Sequence, residues 1–178
     1  MRVISVSRLE PSKRPYDFLA VAQRVCQKRG PVEFIWVGDG TIKMKVVEAA
    51  KKMGLETVKF VGKLSEEAKD QLMRQSDVYV STSESEGFAL TIGEAFLAQL
   101  PVVVYDLPIY SEVYDDFPLK AKRFDVDEFS DKVVVALDRP DWLQARVTQA
   151  KRFVEQNYSY LSVGLRATKA LNEILGLR

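Results

Sequence analysis

The chain has 178 residues, enough for one domain with a substantial core, and its 47% apolar and 29% charged content is that of a globular protein in water. A formal net charge of +1 excludes a whole-surface attraction to nucleic acid or anionic lipid, so any anion site must be local. The single cysteine, Cys26, excludes an internal disulfide and a cysteine-built zinc site, and the absence of histidine removes the commonest metal ligand and general base.

Five short runs rich in Val, Ile, Phe and Tyr read as strands: RVISVS (2–7), EFIWVG (33–38), TVKFVG (57–62), DVYVST (77–82) and PVVVYD (101–106). Their continuous apolarity points to strands covered on both faces, as in a parallel sheet. KRF (122–124) reads as a short sixth. Apolar spacings of three and four predict helices over 16–28, 43–53, 66–75 and 91–99. Pro15 suits a first helical position, and Ser65 followed by Glu66 and Glu67 is a cap with acids in the first turn. Cys26 shares a helix face with Leu19 and Ala22 and reads as a core side chain. Three more helices are expected over 125–137, 141–156 and 160–177, the last two divided by NYS. No apolar run approaches the roughly 20 residues of a membrane span. The start MRVISVSRLE is no signal peptide, so a cytoplasmic protein is expected.

Strand–helix alternation implies one α/β domain over 1–178, a Rossmann-like, doubly wound parallel sheet of about six strands with extra C-terminal helices. Ligands of such sheets bind beyond the carboxyl ends of the strands, so the segments after the strands carry the functional signal. SRLEPSKRP follows the first, with Arg8 and Lys13 on one loop; two cations there suit a diphosphate, or a plain solvated surface. VGDG (37–40) follows the second, where Gly38 and Gly40 allow positive φ and close backbone approach, or make an ordinary turn. The three spaced glycines of dinucleotide oxidoreductases are absent, which argues against an NAD enzyme.

The fourth strand leads into SESEGFALTIGEAF (83–96). Gly87 bends the chain, Phe88 is expected to anchor the turn in the core, and a helix begins near Ala89 to Thr91. A helix start offers unpaired N–H groups and partial positive charge to a phosphate. Glu86 on the turn and Glu94 along the helix are poor partners for phosphate but good acceptors for sugar hydroxyls. A capping acid and an exposed acid are the alternative. DVD (125–127) is better read as a helix cap than as a metal site.

In order and spacing, SVSRLEPSKRPYDFLAVA, FIWVGDG, VKFVGKLSEE and SESEGFALTIGEAFLAQLPVVV resemble the donor-binding, C-terminal half of retaining glycosyltransferases with the two-domain GT-B fold, of the family 4 type. The likeness runs from about residue 4 to 113 and more loosely through 157–175. It implies that Arg8 and Lys13 bind the donor diphosphate, that Glu86 approaches the sugar hydroxyls, and that Glu94 binds the ribose. It places backbone N–H groups around Gly87, Phe88, Ala89 and Leu90 at the sugar phosphate, Gly38 near the donor, and Val61, Gly62 and Lys63 near the base. Arg8, Lys13 and Glu86 would be the catalytic set.

Arg14, Ala89 and Gln99 stand where that family usually has glycine, and DLPIYSE (106–112) replaces a glycine-rich loop while keeping Glu112. The implied substrate is a UDP-, GDP- or ADP-sugar, with no metal or other cofactor. The implied partners are a separate N-terminal acceptor-binding domain and a glycan or lipid-linked acceptor, with no nucleic acid or membrane contact by this domain. A full-length enzyme could sit peripherally at the inner membrane face. An epimerase, a glycogen-synthase-like enzyme or a non-catalytic sugar-nucleotide-binding module keeps the same fold and stays open.

Overall fold

The structure, a computed structural model, describes residues 1–139 and 141–175. Six strands, β1 (Arg2–Val6), β2 (Glu33–Val37), β3 (Val58–Gly62), β4 (Val78–Ser81), β5 (Val102–Tyr105) and β6 (Leu119–Ala121), form one sheet in the order β3-β2-β1-β4-β5-β6. Every pairing is parallel. Among the described residues eight α-helices connect or follow them: α1 (Pro15–Arg29), α2 (Lys43–Lys52), α3 (Glu66–Arg74), α4 (Leu90–Leu97), α5 (Pro108–Tyr114), α6 (Val126–Asp138), α7 (Asp141–Tyr158) and α8 (Tyr160–Leu175).

The period-two geometry of a strand divides each apolar run between two cores. Val3, Phe34, Trp36, Val78, Val80, Val103 and Tyr105 meet α1, α2 and α6 on one face. Ile4, Ile35, Val37, Tyr79, Val102 and Val104 meet α3, α4 and α5 on the other. Helix α7 reaches both, giving Leu143 and Val147 to the first core and Ala150 and Val154 to the second. Both faces are thus covered, as continuous apolarity required. Strand β3 departs from this: it lies at the edge, its burial alternates, and Lys59 ion-pairs with Glu33 at 2.5 Å.

Local signals fall where expected. Pro15 opens α1, the Ser65 hydroxyl accepts from the Ala68 N–H at the start of α3, and the Asp125 carboxylate accepts from the Glu128 N–H at the start of α6. Cys26 lies half-buried against the first core, its Sγ 3.6 Å from the Val32 carbonyl oxygen. Three expectations need correction. The sixth strand is Leu119–Ala121, not 122–124, where Phe124 takes φ 65° and the Asp125 N–H turns back to the Lys122 carbonyl. Residues 108–114, which begin inside the stretch 106–112 read as a loop and run past it, form α5, where Tyr110, Val113 and Tyr114 are all buried. Phe88 is 39% exposed and packs edge-on against Tyr158 and Tyr114 at the surface. The expected end of α8 at 177 lies outside the described residues; the helix is described to Leu175.

All three residues that replace a family glycine adopt left-handed backbone: Arg14 at φ 47°, Ala89 at φ 57° and Gln99 at φ 60°. For a residue with a Cβ this costs about 1 kcal/mol. Gln99 is exposed, and its backbone N–H closes on the Phe96 carbonyl just past α4. Gln99→Gly is expected to stabilise the chain by about 1 kcal/mol and raise the melting temperature by about 2–4 °C in a thermal scan.

Candidate functional site

Strand order reverses beside β1, with β2 on one side and β4 on the other. The helix after β1 packs on one face of the sheet and the helix after β4 on the opposite face, which opens a crevice at their shared carboxyl ends. The loop leaving β1 is stitched to both neighbours. Ser7 and Leu9 donate backbone N–H groups to Val37 and Asp39 at 3.0 Å each, and the Trp36 indole donates to the Ser7 carbonyl at 2.9 Å. On the other side Glu84 donates its N–H to the Ser12 carbonyl at 2.9 Å, and the Thr82 hydroxyl donates to the Lys13 carbonyl at 2.9 Å. Gly38 has φ 131°, and a Cβ there would sit 2.0 Å from the Ser7 carbonyl oxygen. The close approach expected of this glycine is therefore to the first loop.

A cleft of about 520 Å³ lies beyond these ends. Of the residues singled out in the sequence it is lined by Arg8, Gly38, Lys63, Leu90 and Glu94. It also takes in Asp39, Glu66, Lys69 and Thr91, which sequence reasoning did not assign. Val61, Gly62, Lys13, Glu86, Gly87, Phe88 and Ala89 do not line it. Val61 is exposed, and Gly62 accepts the Gly38 N–H at 2.8 Å across the ends of β2 and β3. Glu112 is exposed on α5 and does not reach the cleft.

Lys13 and Glu86 meet each other instead. Lys13 Nζ donates to Glu86 Oε1 at 2.7 Å, with both side chains more than four-fifths shielded from solvent. Burial pushes the hydroxyls of Tyr79, Tyr110 and Tyr114 well above the ordinary tyrosine range, and the charge of Glu86 adds to it in each. These hydroxyls therefore stay protonated. Tyr79 donates to Thr91 Oγ1 at 2.7 Å, while the Tyr110 hydroxyl is buried beside Ser81 without an aligned hydrogen bond.

Helix α4 begins after Ala89 with no side-chain cap. Among the described residues the N–H groups of Leu90 and Thr91 find no hydrogen-bond partner, and both residues face the cleft. Arg8 is exposed beside them, its guanidinium in no ion pair or hydrogen bond among the described residues. Orphan N–H groups, the positive end of a helix and an uncommitted guanidinium together suit a phosphate.

Glu94 stands one turn along α4. Its Oε2 lies 2.9 Å from Lys69 Nζ, yet that buried oxygen receives no aligned hydrogen bond. Lys69 is only 8% exposed and also meets Glu66 Oε2 at 2.5 Å. Burial works against its charge, but the two carboxylates outweigh that and hold its pKa above the ordinary lysine value. The available sequence signal for Lys69 was its spacing of three from Glu66 on a predicted helix; the Glu94 contact crosses between α3 and α4 and leaves no local pattern.

The glycosyl transferases group 1 family model matches residues 2–158. The chain belongs to that family. It is 34% identical over 93 residues to an O-antigen biosynthesis glycosyltransferase, WclY, of Escherichia coli, an alignment spanning 52% of this chain and 26% of that protein. It superposes on a crystal structure of a Staphylococcus aureus TarM point mutant, in complex with fondaparinux, alpha-GlcNAc-glycerol and UDP, at a TM-score of 0.84 and 25% identity, covering 94% of this chain and 34% of the other. It superposes on Anabaena Alr3699/HepE, in complex with UDP and glucose, at a TM-score of 0.84 and 22% identity, covering 97% of this chain and 48% of the other. The fold is thus the Rossmann-like unit that forms half of a GT-B enzyme, and the chain spans between a quarter and a half of these relatives. No helix of the described residues is long and apolar enough to cross a membrane.

Lys69 gives a pH-dependent test. Because its folded pKa is raised, its contribution is complete below the unfolded lysine value of about 10.4 and is lost as pH rises through the folded pKa. Lys69→Met, which keeps the stem and removes the charge, is expected to cost about 1–2 kcal/mol in urea unfolding at pH 7. The difference from the unmodified chain should shrink above about pH 10.4.

Proposed function

We propose that this chain is the donor-binding domain of a retaining glycosyltransferase that moves a sugar from a nucleotide diphosphate sugar to a glycan, lipid or other acceptor. The observation that carries this is the meeting, at one crevice, of Arg8, the unpartnered N–H groups of Leu90 and Thr91, and the Glu94 carboxylate with a buried oxygen lacking an aligned donor. That set takes a phosphate at one end and hydroxyl donors at the other. Family membership supports a glycosyl transfer, and the UDP reported with TarM and HepE supports uridine diphosphate as the nucleotide.

On this reading the diphosphate lies against the start of α4 with Arg8 on its charge. Lys13 holds Glu86 by the adjoining turn and supplies positive charge behind it. The bond from the anomeric carbon to the phosphate oxygen breaks while one from the acceptor hydroxyl oxygen forms. The acceptor's proton passes to a departing phosphate oxygen on the same face, which retains the anomeric configuration. Negative charge grows on the diphosphate as the bond stretches, so the preset cations and N–H groups stabilise the transition state more than the ground state. Glu86 would accept hydrogen bonds from the sugar, Glu94 from the ribose, and Val61, Gly62 and Lys63 would lie towards the base. An N-terminal domain would bring the acceptor, and the whole enzyme would work in the cytoplasm or against its membrane face.

Calorimetry of the chain with UDP-, GDP- and ADP-sugars tests the donor half of this. One of the three should bind, and no heat from any of them at millimolar concentration would overturn it. In the complete enzyme, Arg8→Ala and Glu86→Gln should each lower kcat by about 10²–10³-fold in a radiolabelled-sugar transfer assay. Wild-type turnover by Glu86→Gln would remove Glu86 from the chemistry.

A further inference from the structure

The first turn of α4 is built differently from those of α1, α2, α3 and α6. In α1, α2, α3 and α6 the cap carbonyl accepts the N–H four residues on: Phe18 to Arg14, Val46 to Ile42, Lys69 to Ser65 and Phe129 to Asp125. In α4 that bond, from Gly93 to Ala89, is replaced. The Tyr114 hydroxyl accepts the Gly93 N–H at 3.2 Å and donates to the Ala89 carbonyl at 3.0 Å, so one oxygen bridges the rung. Only Ile92 closes directly on Ala89, at 2.9 Å, a tighter three-residue turn.

The pair is complementary in shape. A Cβ on residue 93 would sit 3.1 Å from the Tyr114 hydroxyl oxygen, so glycine is what gives the hydroxyl its room. The Tyr114 ring is buried and held edge-on by Phe96, Phe88 and Tyr158. Helix α5 is anchored in turn by the Tyr158 hydroxyl on the Val113 carbonyl at 2.7 Å. A buried post on α5 therefore sets the opening of the turn in which Leu90 and Thr91, their N–H groups unpaired among the described residues, line the cleft.

We infer that Tyr114 is a positioning residue for the donor diphosphate: its hydroxyl, seated against Gly93, wedges the first rung of α4 and aims the Leu90 and Thr91 N–H groups at the phosphate. This rests on the donor-binding reading above. Tyr114 touches no substrate; it acts through the backbone of residues 89 to 93. Tyr114→Phe deletes the wedge and keeps the ring in its aromatic setting, so its effect falls on the phosphate and leaves the nucleoside alone.

The test is a titration of the 178-residue chain with UDP and with uridine, followed by NMR. The unmodified chain should prefer UDP. Tyr114→Phe should weaken UDP about tenfold, the scale of one lost hydrogen-bonding arrangement, and leave uridine unchanged. Gly93→Ala should weaken UDP in the unmodified background by pushing the hydroxyl away, and should add nothing in the Tyr114→Phe background, where no hydroxyl is left to displace. That non-additivity separates positioning from a general loss of packing, and the single Gly93→Ala arm stands even if Tyr114→Phe folds poorly. An undiminished UDP preference in both single variants overturns the role of Tyr114 and leaves the donor site intact. Equal affinity of the unmodified chain for UDP and uridine overturns the diphosphate site itself and this inference with it.

Discussion

The reversal of strand order at β1 is the constraint on which the rest depends. A parallel sheet wound in one direction would lay every connecting helix on the same face and close over its strand ends. With β2 and β4 flanking β1, the chain leaves β1 toward α1 on one face and leaves β4 toward α4 on the other. The strand ends between them stay uncovered, and backbone there must find partners or face water. The loop after β1 meets that demand twice over, bonding to the β2 loop through Ser7 and Leu9 and to the β4 loop through Ser12 and Lys13. Its backbone is pinned on both sides, and Arg8 projects from that pinned base.

Strain gathers at the starts of the two helices that leave this opening on opposite faces. Arg14 caps α1 and Ala89 caps α4, each with left-handed backbone that disfavours a side chain. Such residues persist where their surroundings over-determine them. Arg14 is held by Asp17 at 2.7 and 3.1 Å and lies 4.2 Å over the Phe124 ring, itself at φ 65°. Ala89 is held through its carbonyl by Tyr114 and Ile92. In both cases the backbone turns sharply into the helix, which starts it without a side-chain cap. A Ser or Asp cap at residue 89 would spend its oxygen on the Thr91 N–H, one of the two that the crevice leaves unpaired.

Much of this was legible in sequence because it is local. Strand runs, helix periods, the Ser65 and Asp125 caps and the fold class they imply follow from spacing alone, and β1 to β5 fall on the runs that predicted them. What escaped depends on contacts between distant segments. Helix α5 is seven residues long, too short for a period to show, and is stabilised by burial of Tyr110 and Tyr114 against α4. Strand β6 has three residues, and its identity comes from pairing with β5 at Val103 to Tyr105. Phe88 looked like a core anchor because a lone aromatic after glycine has no periodicity to show which way it faces. Lys69 looked like one more helix lysine until α3 and α4 were set side by side.

That pairing resolves the oddity of acids beside a site suited to an anion. A bare carboxylate within a few ångströms of a phosphate would repel it. Each of the two glutamates is met by a shielded lysine: Glu86 by Lys13 across the β1 and β4 loops, and Glu94 by Lys69 across α3 and α4. The acids keep oxygens for hydroxyl donors while their charge is largely cancelled. Of the other charges lining the cleft, Asp39 pairs with Lys43 and Glu66 shares Lys69 with Glu94, whereas Arg8 and Lys63 have no carboxylate within ion-pair distance among the described residues, so the uncommitted charges there are the two cations. The attraction is local, as a chain of net charge +1 demands, and comes from which charges are paired and not from how many there are.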